Sequence, residues 1–191
     1  MEKTDEQIMS EFQSGDREAI SMIFQRYKTP VLKFCLRLLG NRADAEEAAG
    51  EVFVAILATP YRPLPQAKFS TWLYTIARNQ CISLFRKQKN VVSLWFSSAD
   101  ARDEQWDVAD KQDLARDQMA RQEIADQVRR AINKLPYEQK EAMILRQYEG
   151  FSYQEISAIL GCSLEKVKIL IFRAKEQLRG DLASFVKEGQ A

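Results

Sequence analysis

The sequence contains no histidine and no CxxC pair. Histidine is the commonest general base and the middle member of a Ser-His-Asp triad, so its absence counts against an enzyme. Zinc sites are usually spaced His and Cys ligands, and the three cysteines, Cys35, Cys81 and Cys162, lie far apart. They are expected to be buried free thiols. No glycine-rich phosphate loop is present. No apolar run approaches the ~20 residues of a membrane-spanning helix. The first residues, MEKTDEQIMSEF, are acidic and polar, unlike a secretory signal. The expectation is a cytoplasmic protein with no catalytic residues, no metal and no cofactor.

A second absence is local. From Val52 to Ala99 there is no Asp or Glu, while Arg62, Lys68, Arg78, Arg86, Lys87 and Lys89 all fall in that window. The net charge of +1 over 191 residues hides this pattern. Residues 1–95 carry 13 bases and 10 acids, residues 96–120 carry 3 and 7, and residues 121–191 carry 12 and 10. Two mildly basic blocks flanking an acidic connector point to a nucleic-acid partner.

What is present reads as helix, with no persistent strand alternation. Thr4-x-x-Gln7 has the form of a capping box. Gly15-Asp16 ends the short helix that follows, and Asp16 is placed to cap the next. That helix carries Ile20, Phe24, Tyr27, Val31, Phe34, Cys35 and Leu38 at three- and four-residue steps. Pro30 predicts a kink within it, and Gly40 a C-cap. Asp44-x-x-Glu47 is read as opening a third helix, with Ala48, Val52, Ala55 and Ile56 inward. Pro60, Pro63 and Pro65 end it. Ser70 is read as the cap of a fourth helix running to about Lys89. From Val91 to about Gln112 the chain is polar and acidic, although Trp95, Phe96 and Trp106 are unusual in a solvated tether. Helices are then expected over 114–134, over 137–148, and from Ser152-x-x-Glu155 onward. The last runs from Leu164 to about Lys187 and is capped by Ser163. The fold class is all-α: an N-terminal helical domain over 1–90, a linker over 91–120 and a C-terminal helical domain over 121–191.

Within the C-terminal domain, Phe151–Arg179 has the spacing of a helix-turn-helix. A short helix buries Ile156, Ile159 and Leu160, and a tight turn holds Gly161. A second helix turns Val167, Ile171, Ala174 and Leu178 inward. Its other side shows Lys166, Lys168, Arg173 and Lys175. The second helix of such a motif enters the major groove, where cations meet phosphates and base edges. The same spacing also suits an ordinary αα-hairpin with a solvated basic face.

The run LPYEQKEAMILRQYEGFSYQEISAILGCSLEKVKILIFRAKEQLR resembles the promoter-recognising C-terminal domain of bacterial sigma factors. The earlier runs GDREAISMIFQRYKTPVLKFCLRLLGNRADAEEAAGEVFVAIL and FSTWLYTIARNQCISLFRKQKN resemble the family's N-terminal domain. Both halves stand in the family's order, over about residues 10–90 and 125–182. The nearest likeness is to the small two-domain extracytoplasmic-function (ECF) group of the sigma-70 family. The resemblance implies a protein that binds RNA polymerase core and directs transcription from chosen promoters. It implies an anti-sigma factor as a further partner.

The acid-free stretch then acquires a purpose. DNA repels carboxylates and attracts cations through counterion release, and aromatic rings give platforms for unstacked bases. Lys68, Phe69, Trp72, Tyr74, Arg78, Asn79, Arg86, Lys87 and Lys89 are the candidates for the −10 element. For the aromatics, core filling is the competing use. Ser163, Lys166, Lys168, Ile169, Arg173 and Lys175 are the candidates for the −35 element. Asp44, Glu46, Glu47, Glu51 and Phe53 are, by resemblance, the surface that docks on the polymerase clamp.

Three departures from the family pattern stand out. Gly50 replaces a usual Gln, and Ser83 replaces a frequent Asp. The recognition helix reads Glu165-Lys-Val-Lys-Ile-Leu-Ile171 where the family commonly has Gly-Thr-Val-Lys-Ser-Arg-Leu. Ile169 and Leu170 either read a thymine methyl or mark a protein interface. The alternatives to a promoter-specificity subunit are an interaction protein that has lost promoter readout and a stand-alone helix-turn-helix repressor.

Overall fold

The computed structural model of the protein describes residues 3–62, 68–94 and 115–188, with side chains described for 3–62, 68–87 and 123–183. Among the described residues every regular element is a helix: α1 (Asp5–Gln13), α2 (Ala19–Leu39), α3 (Arg42–Ala58), α4 (Phe69–Leu94), α5 (Ala115–Asn133), α6 (Tyr137–Gln147), α7 (Tyr153–Leu160) and α8 (Leu164–Glu188). They fall into two compact units, one built on α1–α4 with the segment Gln154–Gly161, the other on α5, α6 and α8.

In the first unit α2 packs on α3 and α4, and α1 closes against α2 and α4. The centre holds Ile8, Met9, Ile23, Phe34, Ile56, Phe69 and Leu73, all fully buried. The caps show why α1 forms and where it docks. Thr4 and Gln7 make the full reciprocal capping box. Asp5 accepts from both Arg26 and the Tyr27 hydroxyl on α2. Burial first, and then that hydrogen bond to Asp5, raise the pKa of the Tyr27 hydroxyl above its ordinary value. Arg26 also donates to the Lys3 carbonyl at 2.8 Å, and the Gln13 amide donates to the Tyr61 carbonyl at 2.9 Å.

Several local expectations change. α2 is helical on both sides of Pro30 and ends at the expected left-handed cap, Gly40, φ +83°. Its first turn begins at Ala19, so Asp16 accepts the Glu18 N–H in the turn before the helix rather than capping it. Near the start of α2 the buried positions are Ala19 and Ile23, and Phe24 is 48% exposed. α3 opens one turn earlier than Asp44 implies, because Asn41 takes the cap and its side chain accepts the Asp44 N–H. α4 opens at Phe69, ahead of Ser70. Glu6 of α1 reaches across to accept the Phe69 N–H at 2.9 Å. α4 continues to Leu94, past the predicted end at Lys89, since neither Gly nor Pro interrupts Arg86–Leu94. Trp95, Phe96 and Trp106 lie outside the described residues.

In the second unit α8 packs on α5 and α6. Leu135, Met143 and Ala174 form a core cluster against which Leu178 packs. Arg146 ties the end of α6 to the following loop by donating to the Phe151 carbonyl at 2.8 Å, with its guanidinium over the Tyr153 ring. Along the chain, Gly161 turns with φ +63°, a conformation that an L side chain adopts only at a cost. Ser163 then accepts the Lys166 N–H at 3.2 Å, the expected cap of α8.

Candidate nucleic-acid and polymerase surfaces

Each face of α8 is dictated by its 3.6-residue period. Val167, Leu170, Ile171 and Ala174 are buried. Lys166, Lys168, Arg173 and Lys175 are exposed. Ser163, at the cap, is exposed too. The Lys166 ammonium lies 2.8 Å from Glu138 of α6, so this cation is partly neutralised within the unit. Leu170 corrects the expectation drawn for it: at 8% exposure it is a core residue and marks no surface. Ile169 is 50% exposed, and sequence reasoning missed Phe172, 66% exposed. The signal for Phe172 was its spacing: three residues after Ile169, it falls on the side away from Val167 and Ile171.

On α4, Arg78, Asn79, Ile82, Ser83, Arg86 and Lys87 line an open groove of about 480 Å³. These positions recur at four-residue steps, so they form adjacent rows on one helical face. Arg86, Lys87 and Asn79 are exposed, Arg78 is partly buried, and Lys68 is exposed just before the helix. The Lys89 side chain lies outside the described residues. The family's frequent Asp is replaced here by Ser83, which keeps the groove free of negative charge.

The aromatics divide differently. Phe69 is fully buried, edge-on to Tyr27 and Tyr61 at 5.6 and 5.4 Å. Tyr74 is 4% exposed against Phe34 at 5.1 Å. A ring enclosed on both faces offers no platform to a base, so both are corrected to core residues. Trp72 is partly buried between Tyr61 and Phe69, at 5.2 and 5.6 Å. It keeps some surface for contact.

On α3, Glu46, Glu47 and Glu51 are exposed. Glu46 pairs with Arg42 at 2.8 Å. Asp44 is partly exposed, and its side chain accepts from the Asn41 amide at the start of the helix. Phe53 is partly buried, its ring 4.9 Å from that of Phe24. Around it lies an apolar groove of about 260 Å³ lined by Ile20, Ile23, Phe24, Phe53, Ile56 and Leu57. Val54 and Leu57 are each 57% exposed. This apolar surface beside the acids went unread, although VFVAIL carries its signal. Six consecutive apolar residues surround a helix, and only one side of it can be buried.

Known proteins resemble the chain in both of its halves. Residues 23–91 match the family model for Sigma-70 region 2, and residues 125–178 match that for Sigma-70, region 4. The chain is 28% identical over 189 residues to the RNA polymerase sigma-H factor of Pseudomonas aeruginosa, covering 98% of each. It is 29% identical to the ECF RNA polymerase sigma factor SigW of Bacillus subtilis, covering 95% of this chain and 98% of that one. The sigma factor RpoE of Bartonella quintana, solved with the anti-sigma factor NepR, shares the fold. Its TM-score is 0.64 at 24% identity, covering 86% of this chain and 96% of that one. CnrH, solved with the cytosolic domain of CnrY, shares it with a TM-score of 0.65 at 22% identity, over 93% and 96% of the two chains. Among the described residues no helix is long and apolar enough to cross a membrane. With both region models matched in the family's order, the chain belongs to the sigma-70 family, in its ECF group.

Proposed function

We propose that this chain specifies promoters through two different DNA surfaces, one for unpaired −10 bases on α4 and one for the −35 duplex on α8. As a sigma factor it binds RNA polymerase core and directs promoter-specific initiation. The observation that carries the residue-level reading is that two separate cationic surfaces of unlike design stand on one chain. The α4 groove combines cations with the Asn79 amide on one helical face, suited to an extruded strand. α8 is the second helix of the helix-turn-helix segment, with cations on both sides of its outer line, suited to a duplex groove. A stand-alone repressor needs only the second.

The division of labour follows from the chemistry. The α3 surface, with Glu47, Glu51, Phe53, Val54 and Leu57, docks on core. Its acids steer and orient the encounter, and its apolar side chains supply burial. Unpairing the −10 bases costs stacking energy, which new contacts along Arg78, Asn79, Arg86, Lys87 and the Trp72 edge offset. Lys168, Arg173 and Lys175 neutralise phosphates of the −35 duplex, holding register while the outer line of α8 meets the bases. Nothing in this mechanism requires bond-making by the chain: it positions DNA and captures a strand. NepR holds the RpoE of Bartonella quintana, and an anti-sigma protein is proposed as a partner here as well. The exposed apolar groove beside Phe24 and Phe53 supports that reading.

The test is transcription in vitro with sigma-free core polymerase, the purified chain and a genomic promoter library, with transcript 5′ ends sequenced. Discrete start sites sharing a −35/−10 pair are expected. Co-elution with core but no discrete starts would remove promoter specification and leave an interaction protein.

A further inference from the structure

The outer line of α8 carries two large apolar side chains where a DNA-reading helix would ordinarily place polar ones. At 100° per residue, the direction opposite the buried Val167, Leu170, Ile171 and Ala174 is occupied by Glu165, Ile169, Phe172 and Glu176. Ile169 is 50% exposed and Phe172 66%. Lys168 and Lys175 flank this line on one side, Lys166 and Arg173 on the other, and all four are exposed. Glu176 is drawn toward Arg179 at 2.6 Å, away from the apolar pair.

A single exposed apolar residue needs no explanation. A pair centred between two cationic margins does. In a helix lying in the major groove, the outer line faces the base edges and the margins face the two phosphate strands. The cations Lys168, Arg173 and Lys175 on these margins, unpaired among the described residues, suit phosphate strands, while Glu165 and Glu176 stand at the two ends of the outer line and leave its middle to the apolar pair. An apolar pocket on a protein partner would have to desolvate four cations around two hydrophobes, at a cost that burial of the pair does not repay. On the floor of the major groove the apolar group of the four bases is the thymine 5-methyl.

We propose that Ile169 and Phe172 form an apolar reader of thymine methyl groups in the −35 duplex and set this chain's −35 preference. The inference rests on the sigma-factor reading above. Three residues of helix advance about 4.5 Å along the axis, and base pairs stack about 3.4 Å apart. The two side chains thus address neighbouring base pairs. A polar side chain at position 169 would hydrogen-bond a base edge; Ile169 instead gains by excluding water from a methyl.

The test uses the full-length chain bound to core polymerase. Promoters recovered from the transcription library supply the −35 sequences. Each −35 thymine is then replaced singly by deoxyuridine, which removes only the methyl. Binding is expected to fall about fourfold at one or two neighbouring positions, the value of one buried methyl. The Ile169→Ser and Phe172→Ala proteins should each bind the thymine and uracil forms equally at the position they read. Ile169→Val, which keeps a branched apolar face, should retain the penalty. Far-ultraviolet circular dichroism identifies any variant that fails to fold. Uracil tolerated at every −35 position, or a penalty unchanged in both variants, overturns the proposal and leaves the pair to a protein partner. An absence of discrete start sites overturns the sigma reading and this proposal together. Discrete starts with methyl-blind binding overturn this proposal alone.

Discussion

Glu6 and Phe69 are 63 residues apart, and the Glu6 carboxylate accepts the Phe69 backbone N–H at 2.9 Å. The first helix thereby caps the helix that carries the proposed −10 surface. That hydrogen bond is the main cause holding the Glu6 carboxyl below its ordinary pKa. A depressed carboxylate contributes stability that is complete above the unfolded value of about 4.3 and is lost as pH falls through the lower folded value. Glu6→Ala is expected to cost about 0.5–2 kcal/mol, the range for a lost N-cap. Urea unfolding at neutral pH measures it. The gap between wild type and variant should narrow as the medium becomes acidic, and a gap that does not change with pH would show that the ionised carboxylate is not the capping group.

Burial separates the aromatics of α4 from its cations in a way that mutants resolve. Phe69→Ala removes a fully buried ring and should destabilise by roughly 3–5 kcal/mol. Arg86→Ala changes an exposed residue and should stay within about 0.5 kcal/mol of wild type. Yet Arg86→Ala should impair open-complex formation and lower the salt slope for single-stranded −10 DNA by about 0.7. Equal stability losses in the two variants would refute the division.

The cations of α8 are not equivalent. Lys168→Ala should weaken binding to the −35 duplex across sequences and reduce the salt slope by about one. Lys166 begins paired to Glu138, so Glu138→Gln should tighten duplex binding, by no more than the ~1 kcal/mol such surface pairs contribute. Titrations across a range of salt concentrations check both. A Glu138→Gln protein that binds no better would show that the pair persists on DNA or never competed with it.

Gly50 lies inside α3, and a Cβ built there meets nothing within 4 Å. Gly50→Ala should therefore stabilise the protein by about 0.4–1 kcal/mol through loss of unfolded-state freedom. The expected readout is a higher urea midpoint with unchanged slope.

Burial holds the Lys140 ammonium down to a pKa of about 8, against about 10.4 in an unfolded chain. Between those values the unfolded state binds more protons, so the contribution of this group to stability rises with pH. Lys140→Met removes that contribution. The wild-type midpoint should gain on the variant's between about pH 8 and pH 10. A constant difference over that range would mean the ammonium is solvated or fully compensated.

Caps at Thr4, Gly40 and Ser163 were legible in the sequence because their partners lie three or four residues away. The same logic fails at Ser70, because the donor that needs satisfying is met by Glu6 from another helix. It fails at Asp44 for a smaller reason. Asn41 is an equally good cap three residues earlier, and the choice between them sets where the helix starts. Residue types likewise identified the cationic faces of α4 and α8, since charge stays at the surface unless paired. They did not sort Phe69 and Tyr74 from Trp72, or Leu170 from Ile169, because apolar residues serve both core and contact.

By itself, then, the chain's order of residues determined an all-α protein, the spacing of a helix-turn-helix segment and an acid-free stretch from Val52 to Ala99. These are properties of spacing and charge that any folded form of the chain must respect. Tertiary packing alone decided which apolar side chains are enclosed and which are left to meet a partner. It enclosed Phe69, Tyr74 and Leu170, and it left Phe24, Leu57, Ile169 and Phe172 outside. The physical reason is that burial is a property of the neighbours a side chain finds across the fold, and one helical step of 100° turns a residue from core to groove.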